Sequence, residues 1–293
     1  MFYAYISLIV TPYFFTTKSA FLMMVNIKNS YLGKTPLLIL SSLYVACFGS
    51  CIIVFCLPFI YRYLVAISSP KITTFHGYKL IIWLMIPIIN GVVWALLAFY
   101  CISPKQYIND RIRTNVMDVF DTDINDIVYI GAMFYDDNGF LIKSFDNIFL
   151  CLNIVGSGGG SMSVVFFFGI KCYFQLSRYT RSDTNSRKVK AHHKQLFYAL
   201  VVQTFIPIIL MHIPLIISYS TVFLNIDMGV LSGFVSFTVS IYPAIDPLPS
   251  ILIIRPYREA VIEMFKNDFN QMVSYRIVSF NSSQVSSTRV NTF

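Results

Sequence analysis

From Pro36 to Tyr61 the chain contains no Asp, Glu, Lys, Arg or His. A bilayer core about 30 Å thick is crossed by roughly 20 apolar residues at about 1.5 Å rise each, so this run is long enough to span it. Leu80–Ile102, Asn147–Ile170 and Met228–Ile245 are also charge-free, and Leu196–Asn225 is broken only by His212. A weaker apolar stretch opens the chain at Met1–Thr17. Only 12% of residues are charged and 56% are hydrophobic, against about 25% charged in soluble domains. The runs exceed the roughly 10 residues of a barrel strand and lack strict alternation. Backbone groups in hydrocarbon must be satisfied within the segment, so each run reads as a helix. The expected fold is an all-α polytopic transmembrane bundle.

The net charge is +8, and its distribution follows membrane topology rather than a nucleic-acid surface; no nucleic-acid partner is expected. Basic residues gather in the segments around Arg62–Lys79, Lys171–Lys194 and the tail after Arg255. Segment 103–146 carries eight aspartates against four basic residues. Lys and Arg accumulate on the cytoplasmic side, which places 103–146 outside and the C-terminus inside. Asn281-Ser282-Ser283 is then a cytoplasmic sequon, expected to stay unglycosylated. The N-terminus lacks the basic region and small-residue site of a cleaved signal.

The runs predict helices over about 1–17 (partial), 36–66, 80–102, 147–174, 195–220 and 228–254. Tyr257, Val261, Met264 and Phe265 share one apolar face, which predicts a surface helix over 256–266. Residues 1–266 form the membrane domain and 267–293 a Ser/Asn/Thr-rich disordered tail. The 103–146 segment reads as irregular, with short pieces of helix or hairpin. Gly156-Ser157-Gly158-Gly159-Gly160-Ser161 reads as a site of close helix approach; no Lys-Ser/Thr follows to make it a phosphate loop. Paired prolines in the last two helices predict kinks.

Catalytic and metal chemistry find little support. The six cysteines lie in or beside apolar runs without metal-ligand spacing. His212 has no partner spaced for a metal, so neither metal nor cofactor is expected. Ser41, Ser42 and Ser50 lack a matching His or Asp, so the chain is not expected to be an enzyme. Asp246 is the one acid inside an apolar run. Such residues are costly and often functional; a hydrated structural role and a switch role both fit it. A transporter or channel is the alternative class, but no inverted repeat is visible.

Three stretches carry a family resemblance: Phe59-Ile60-Tyr61-Arg62-Tyr63, then Lys194 to Pro207 followed by Met211-His212-Ile213-Pro214, and Asp246-Pro247 through Arg255-Pro256-Tyr257-Arg258. Over roughly residues 5–265 the chain resembles the nematode seven-transmembrane chemoreceptors of serpentine receptor class r (the Str/Srj group). The resemblance implies a bundle of the seven-helix receptor type, here without the first helix and part of the second. It also implies a multi-pass protein of the cell membrane, in the sensory cilium of chemosensory neurons. Its partners would be a heterotrimeric G protein, the lipid bilayer and a small-molecule ligand of unknown identity. Arg62 resembles the arginine at the inner end of the third helix of such receptors; Tyr61 stands where an acid usually precedes it. A G-protein contact and an interfacial anchor are both open for Arg62. With Tyr61, Tyr63, Asp246 and Pro247 it makes the candidate coupling or switch set. A non-signalling, shortened receptor product is the further alternative.

Overall fold

The computed structural model describes residues 6, 9–136, 138–181 and 187–267. The disordered-tail expectation and the sequon lie outside them. The fold is predominantly helical, as the hydropathy requires. Four helical segments are long and apolar enough to cross a membrane: Lys34–Ala66, Gly77–Cys101, Phe145–Gln175 and Phe197–Phe223. The first comprises α1 (Lys34–Val54) and α2 (Cys56–Ala66). The second contains α3 (Leu80–Leu96). Between it and the third lies α4 (Gln106–Phe120). The third contains α5 (Phe145–Asn153) and α6 (Gly160–Arg181). Then follow α7 (Arg187–Pro207), α8 (Ile213–Phe223), α9 (Gly233–Ile245) and α10 (Leu248–Ile253). A last helix, α11, covers 255–267.

Proline chemistry sets the interruptions. The break between α1 and α2 falls at Phe55. Pro58 has no N–H for the Val54 carbonyl, and its ring crowds that carbonyl. Ile208–His212 is a π-helical segment between Pro207 and Pro214; Pro214 likewise leaves the Leu210 carbonyl without an i+4 donor. Pro247 and Pro249 separate α9 from α10 in the same way.

Small residues let α1 and α3 approach closely. A methyl group on Gly49 of α1 would overlap the Trp94 indole, and one on Gly91 of α3 would overlap the Ser50 hydroxyl. Backbones approach this closely in membranes because lipid supplies no hydrophobic drive between helices, leaving packing and hydrogen bonds. The other side of α3 is apolar and uncovered: Ile81, Ile82 and Ile89 are 60%, 66% and 57% exposed. Such a surface belongs in hydrocarbon.

One end of the bundle carries a three-stranded antiparallel sheet ordered β1-β2-β3, which the sequence reading did not anticipate. Its strands are β1 (Tyr13–Thr16), β2 (Ala20–Asn26) and β3 (Ile127–Met133). The opening apolar segment is helical at residues 6 and 9–10, then turns at Thr11-Pro12 into β1. Segment 103–146 is also more regular than its composition implies. Its α4 buries Ile108, Ile112 and Val116 against Leu22, Met24 and Tyr129 of the sheet. Burying each such side chain stabilises by about 1.5–3 kcal/mol. Phe21, Met23 and Val25 of β2 point the other way, into the bundle core. The sheet therefore lies between α4 and the helix bundle as a roof.

Both sheet edges are covered. Ser236 Oγ accepts from the Phe14 N–H (2.7 Å) and Ser232 Oγ from the Thr16 N–H (3.0 Å). On the β3 side, the Gly131 N–H donates to the Ile102 carbonyl (2.8 Å), and Asn147 Nδ2 donates to the Met133 carbonyl (2.7 Å). Two ion pairs add to this, Lys28–Asp126 at 2.9 Å and Lys105–Asp146 at 2.5 Å. All six cysteines are free thiols.

Candidate functional site

Beneath the roof the helices do not meet, and a cavity of about 460 Å³ remains. That lies in the range of small-molecule sites. Its ceiling is Phe14, Phe21 and Met23 with Ile130 and Ala132 of β3. Tyr44, Val45, Phe48 and Ile52 of α1 form one wall, reaching down to Trp94 of α3. The opposite wall is the 154–159 segment with Met162 and Phe166 of α6, facing His212, Ile216 and Tyr219. Tyr219 is stacked on Phe21, with ring centroids 4.4 Å apart at 25°.

Polar groups in this wall are few. His212 Nδ1 lies 3.1 Å from the Pro207 carbonyl, across the π-helical segment that the two prolines create. Its Nε2 is buried without a hydrogen-bond partner. Among the described residues the walls contain no charged side chain, so the cavity matches an uncharged, mainly apolar molecule. A carboxylate or ammonium here would lose its hydration with nothing to replace it.

The glycine run contributes to this space rather than to packing. A Cβ added at Gly156, Gly158, Gly159 or Gly160 would meet nothing within 4 Å, while Gly158 and Gly159 line the cavity. The expectation of close helix approach at these glycines is therefore corrected. Close approach occurs instead at Gly49 and Gly91, which the sequence did not distinguish from other glycines.

The candidate coupling residues sit at the other end of the bundle. The Tyr61 ring meets Phe75 edge-on at 5.4 Å. The Tyr63 ring lies 5.4 Å from Phe168 of α6, and Lys171 Nζ lies 5.8 Å from the Tyr63 ring centroid. Arg62 is half-buried, with Cys172 of α6 and Tyr257 of α11 among its electrostatic neighbours. The structure thus brings Arg62 together with two other elements.

Asp246 is not part of that cluster. The Tyr242 hydroxyl, one turn earlier, and Cys51 of α1 are electrostatic neighbours of its carboxylate. The Tyr242 ring meets Phe55 edge-on at 6.1 Å, at the break in the first span. Cys51 precedes Arg62 by eleven residues, roughly 16 Å along a helix. Pro247 follows directly, at the interruption between α9 and α10. Asp246 and Pro247 therefore lie between the cavity and the Arg62 cluster, beside the point where α1 gives way to α2.

Comparison with known proteins addresses the whole chain. The family model described as serpentine type 7TM GPCR chemoreceptor Str matches residues 1–262. The G-protein coupled receptor str-217 of Caenorhabditis elegans is 30% identical over 295 residues, covering 97% of this chain and 84% of the relative. The serpentine receptor class r-10 of Caenorhabditis briggsae is 28% identical, covering 90% and 77%. The G-protein coupled receptor str-33 of Caenorhabditis elegans is 24% identical, covering 79% and 68%. With a family model spanning most of its length and a relative at 30% identity along nearly all of it, this multi-pass membrane protein belongs to the Str family of serpentine seven-transmembrane chemoreceptors.

Proposed function

We propose that the protein is a chemosensory receptor that binds a small uncharged ligand in the cavity under the sheet and signals to a heterotrimeric G protein at the opposite end. The observation that carries this reading is the cavity itself: a roofed space of ligand size, with no charged side chain among the described residues that line it, between helices interrupted at Phe55 and at Ile208–His212. In this reading the sheet and α4 face the outside and the C-terminus is cytoplasmic. The basic/acidic asymmetry of the loops supports that orientation, and membership of the family supports a place in the membrane of a chemosensory neuron. No catalytic step is assigned to it.

Coupling would use the interruptions. Ile52 lines the cavity three residues before the break at Phe55. The Phe55 ring meets Tyr242 edge-on, and Tyr242 is an electrostatic neighbour of Asp246. On the other side, Ile208 and His212 belong both to the cavity wall and to the π-helical segment. A ligand that fits one arrangement of these segments better than another shifts their equilibrium by its difference in affinity. The Arg62 end of α2 and the facing ends of α6 and α7 then move relative to one another, and the G protein reads that movement.

The test is a cavity-filling variant. Val45→Trp places an indole in the space a ligand would occupy. In cultured cells with a calcium or cAMP reporter, screened against a panel of small uncharged volatiles, the parent responds and Val45→Trp at equal surface level does not. A response retained by Val45→Trp rules the cavity out as the ligand site.

A further inference from the structure

The roof and the flank of the cavity differ in a way that bears on how a ligand arrives. On the roof side two apolar layers separate the cavity from the aqueous phase. Phe14, Phe21 and Met23 are buried on the lower face of the sheet, and Ile108, Ile112 and Val116 are buried above it. The roof edges are hydrogen-bonded to α9 and to the Ile102 and Asn147 segments.

Among the described residues, no such cover lies on the flank between α6 and α8. Val155 and Phe166 on one side and Ile216 on the other line the cavity, yet are 71%, 59% and 62% exposed on the bundle surface. Gly158 and Gly159 lie on the same flank, with open space where side chains would project. Both walls belong to membrane-length segments, so the surface they expose faces hydrocarbon. Toward the other end the gap closes, where Tyr173 of α6 meets Phe197 of α7 at 6.2 Å.

Resting on the ligand site proposed above, we propose that the ligand enters from the bilayer, through a side opening between the Gly158–Gly159 segment and Ile213–Ile216, and that it is an uncharged molecule apolar enough to concentrate in lipid. The roof then excludes water and water-soluble solutes, and the membrane acts as the reservoir. The glycines keep the opening wide: any side chain at Gly159 projects into it. A molecule carrying a fixed charge is excluded twice, by the bilayer and by the charge-free cavity wall.

The probe for the test is 4-fluoroanisole, followed by fluorine NMR with the full chain in lipid nanodiscs. The parent binds it, and Val45→Trp, with folding checked by thermal melting, does not. Gly159→Leu partly plugs the opening, and slows both association and dissociation by about tenfold with little change in affinity. Gly156→Leu, at a glycine in open space that does not line the cavity, leaves both rates unchanged. Unchanged rates in Gly159→Leu, with binding still lost in Val45→Trp, overturn the side entrance and leave the cavity as the site. Loss of affinity in Gly159→Leu also overturns the entrance and makes Gly159 part of the binding wall. Binding retained in Val45→Trp overturns the cavity reading itself. No binding by the parent overturns the apolar ligand class.

Discussion

Asn90 of α3 donates a hydrogen bond from Nδ2 to the backbone carbonyl of Gly49 in α1, at 2.7 Å. The bond is possible because Gly49 has no side chain to hold the helices apart. Gly49→Val should force α1 and α3 apart, since its Cβ would fall on the Trp94 indole. The expected cost is about 1–3 kcal/mol of overpacking. Asn90→Leu, which removes only the interhelical bond, should cost about 0.6 kcal/mol. Thermal melts of the two variants in detergent should show the glycine substitution as the more damaging; the reverse order would mean that the hydrogen bond dominates this contact.

The roof should respond to alkaline pH through Tyr129. Its hydroxyl is buried between β3 and α4, donates to Asn109 Oδ1 at 2.7 Å and accepts from the Lys105 N–H at 3.1 Å. Burial pushes its pKa up to about 12 from the ordinary 10.0. Between those values the unfolded roof releases a proton that the folded roof retains, so stability falls as pH rises through this window. The loss is on the order of 2 kcal/mol. Tyr129→Phe should be less stable than the parent at pH 8, having lost its hydrogen bonds, and should lose less on going to pH 11. Parallel slopes for the two proteins would show that Tyr129 does not set the alkaline limit.

At the proposed coupling end, Arg62 and Asp246 should behave differently because they lie at different depths. Arg62→Ala should reduce signalling with little change in surface level, because an interfacial arginine already reaches water. Asp246→Asn keeps the shape beside Tyr242 and removes the charge, and should shift basal activity rather than abolish the response. A reporter assay with surface level measured in parallel separates the two. If Arg62→Ala signals like the parent, Arg62 is an anchor.

Topology has its own test. An epitope inserted beside Asp123, in the exposed turn after α4, should be reached by antibody on intact cells, and an epitope at Ser283 only after permeabilisation. The opposite pattern would invert the orientation and place the cavity roof in the cytoplasm.

The helical bundle was legible because hydrocarbon permits few other solutions for runs such as Pro36–Tyr61. The roof was not. Both faces of β2 are buried, one by the bundle and one by α4, so Ala20-Phe21-Leu22-Met23-Met24-Val25 shows no polar alternation. Helix α4 had a readable signal in Ile108, Ile112 and Val116, spaced four apart, which the surrounding aspartates and asparagines obscured. Arg62, Tyr61, Tyr63, Asp246 and Pro247 were singled out by residue type and by the family resemblance, which assign a role and not a position. Their division between two depths depends on the break at Phe55 and on which helices pack there, which no local pattern encodes. The glycine run shows the same limit: a glycine that lets helices touch and one that leaves a gap look alike until the neighbours are known.

The hydrogen bonds from β1 to Ser232 and Ser236 join residues 216 and 222 positions apart in the chain. At about 5–20 residues per second of synthesis, β1 emerges roughly 10–45 seconds before the serines that cap its edge. Throughout that interval the strand is open on one side, a template for pairing with another chain. Helix α9 and the turn before it are thus also what ends this exposure. A ribosome that stalls before Ser236, or a nonsense mutation there, would release a chain in which α1 to α8 have been made but whose roof still has an adhesive edge.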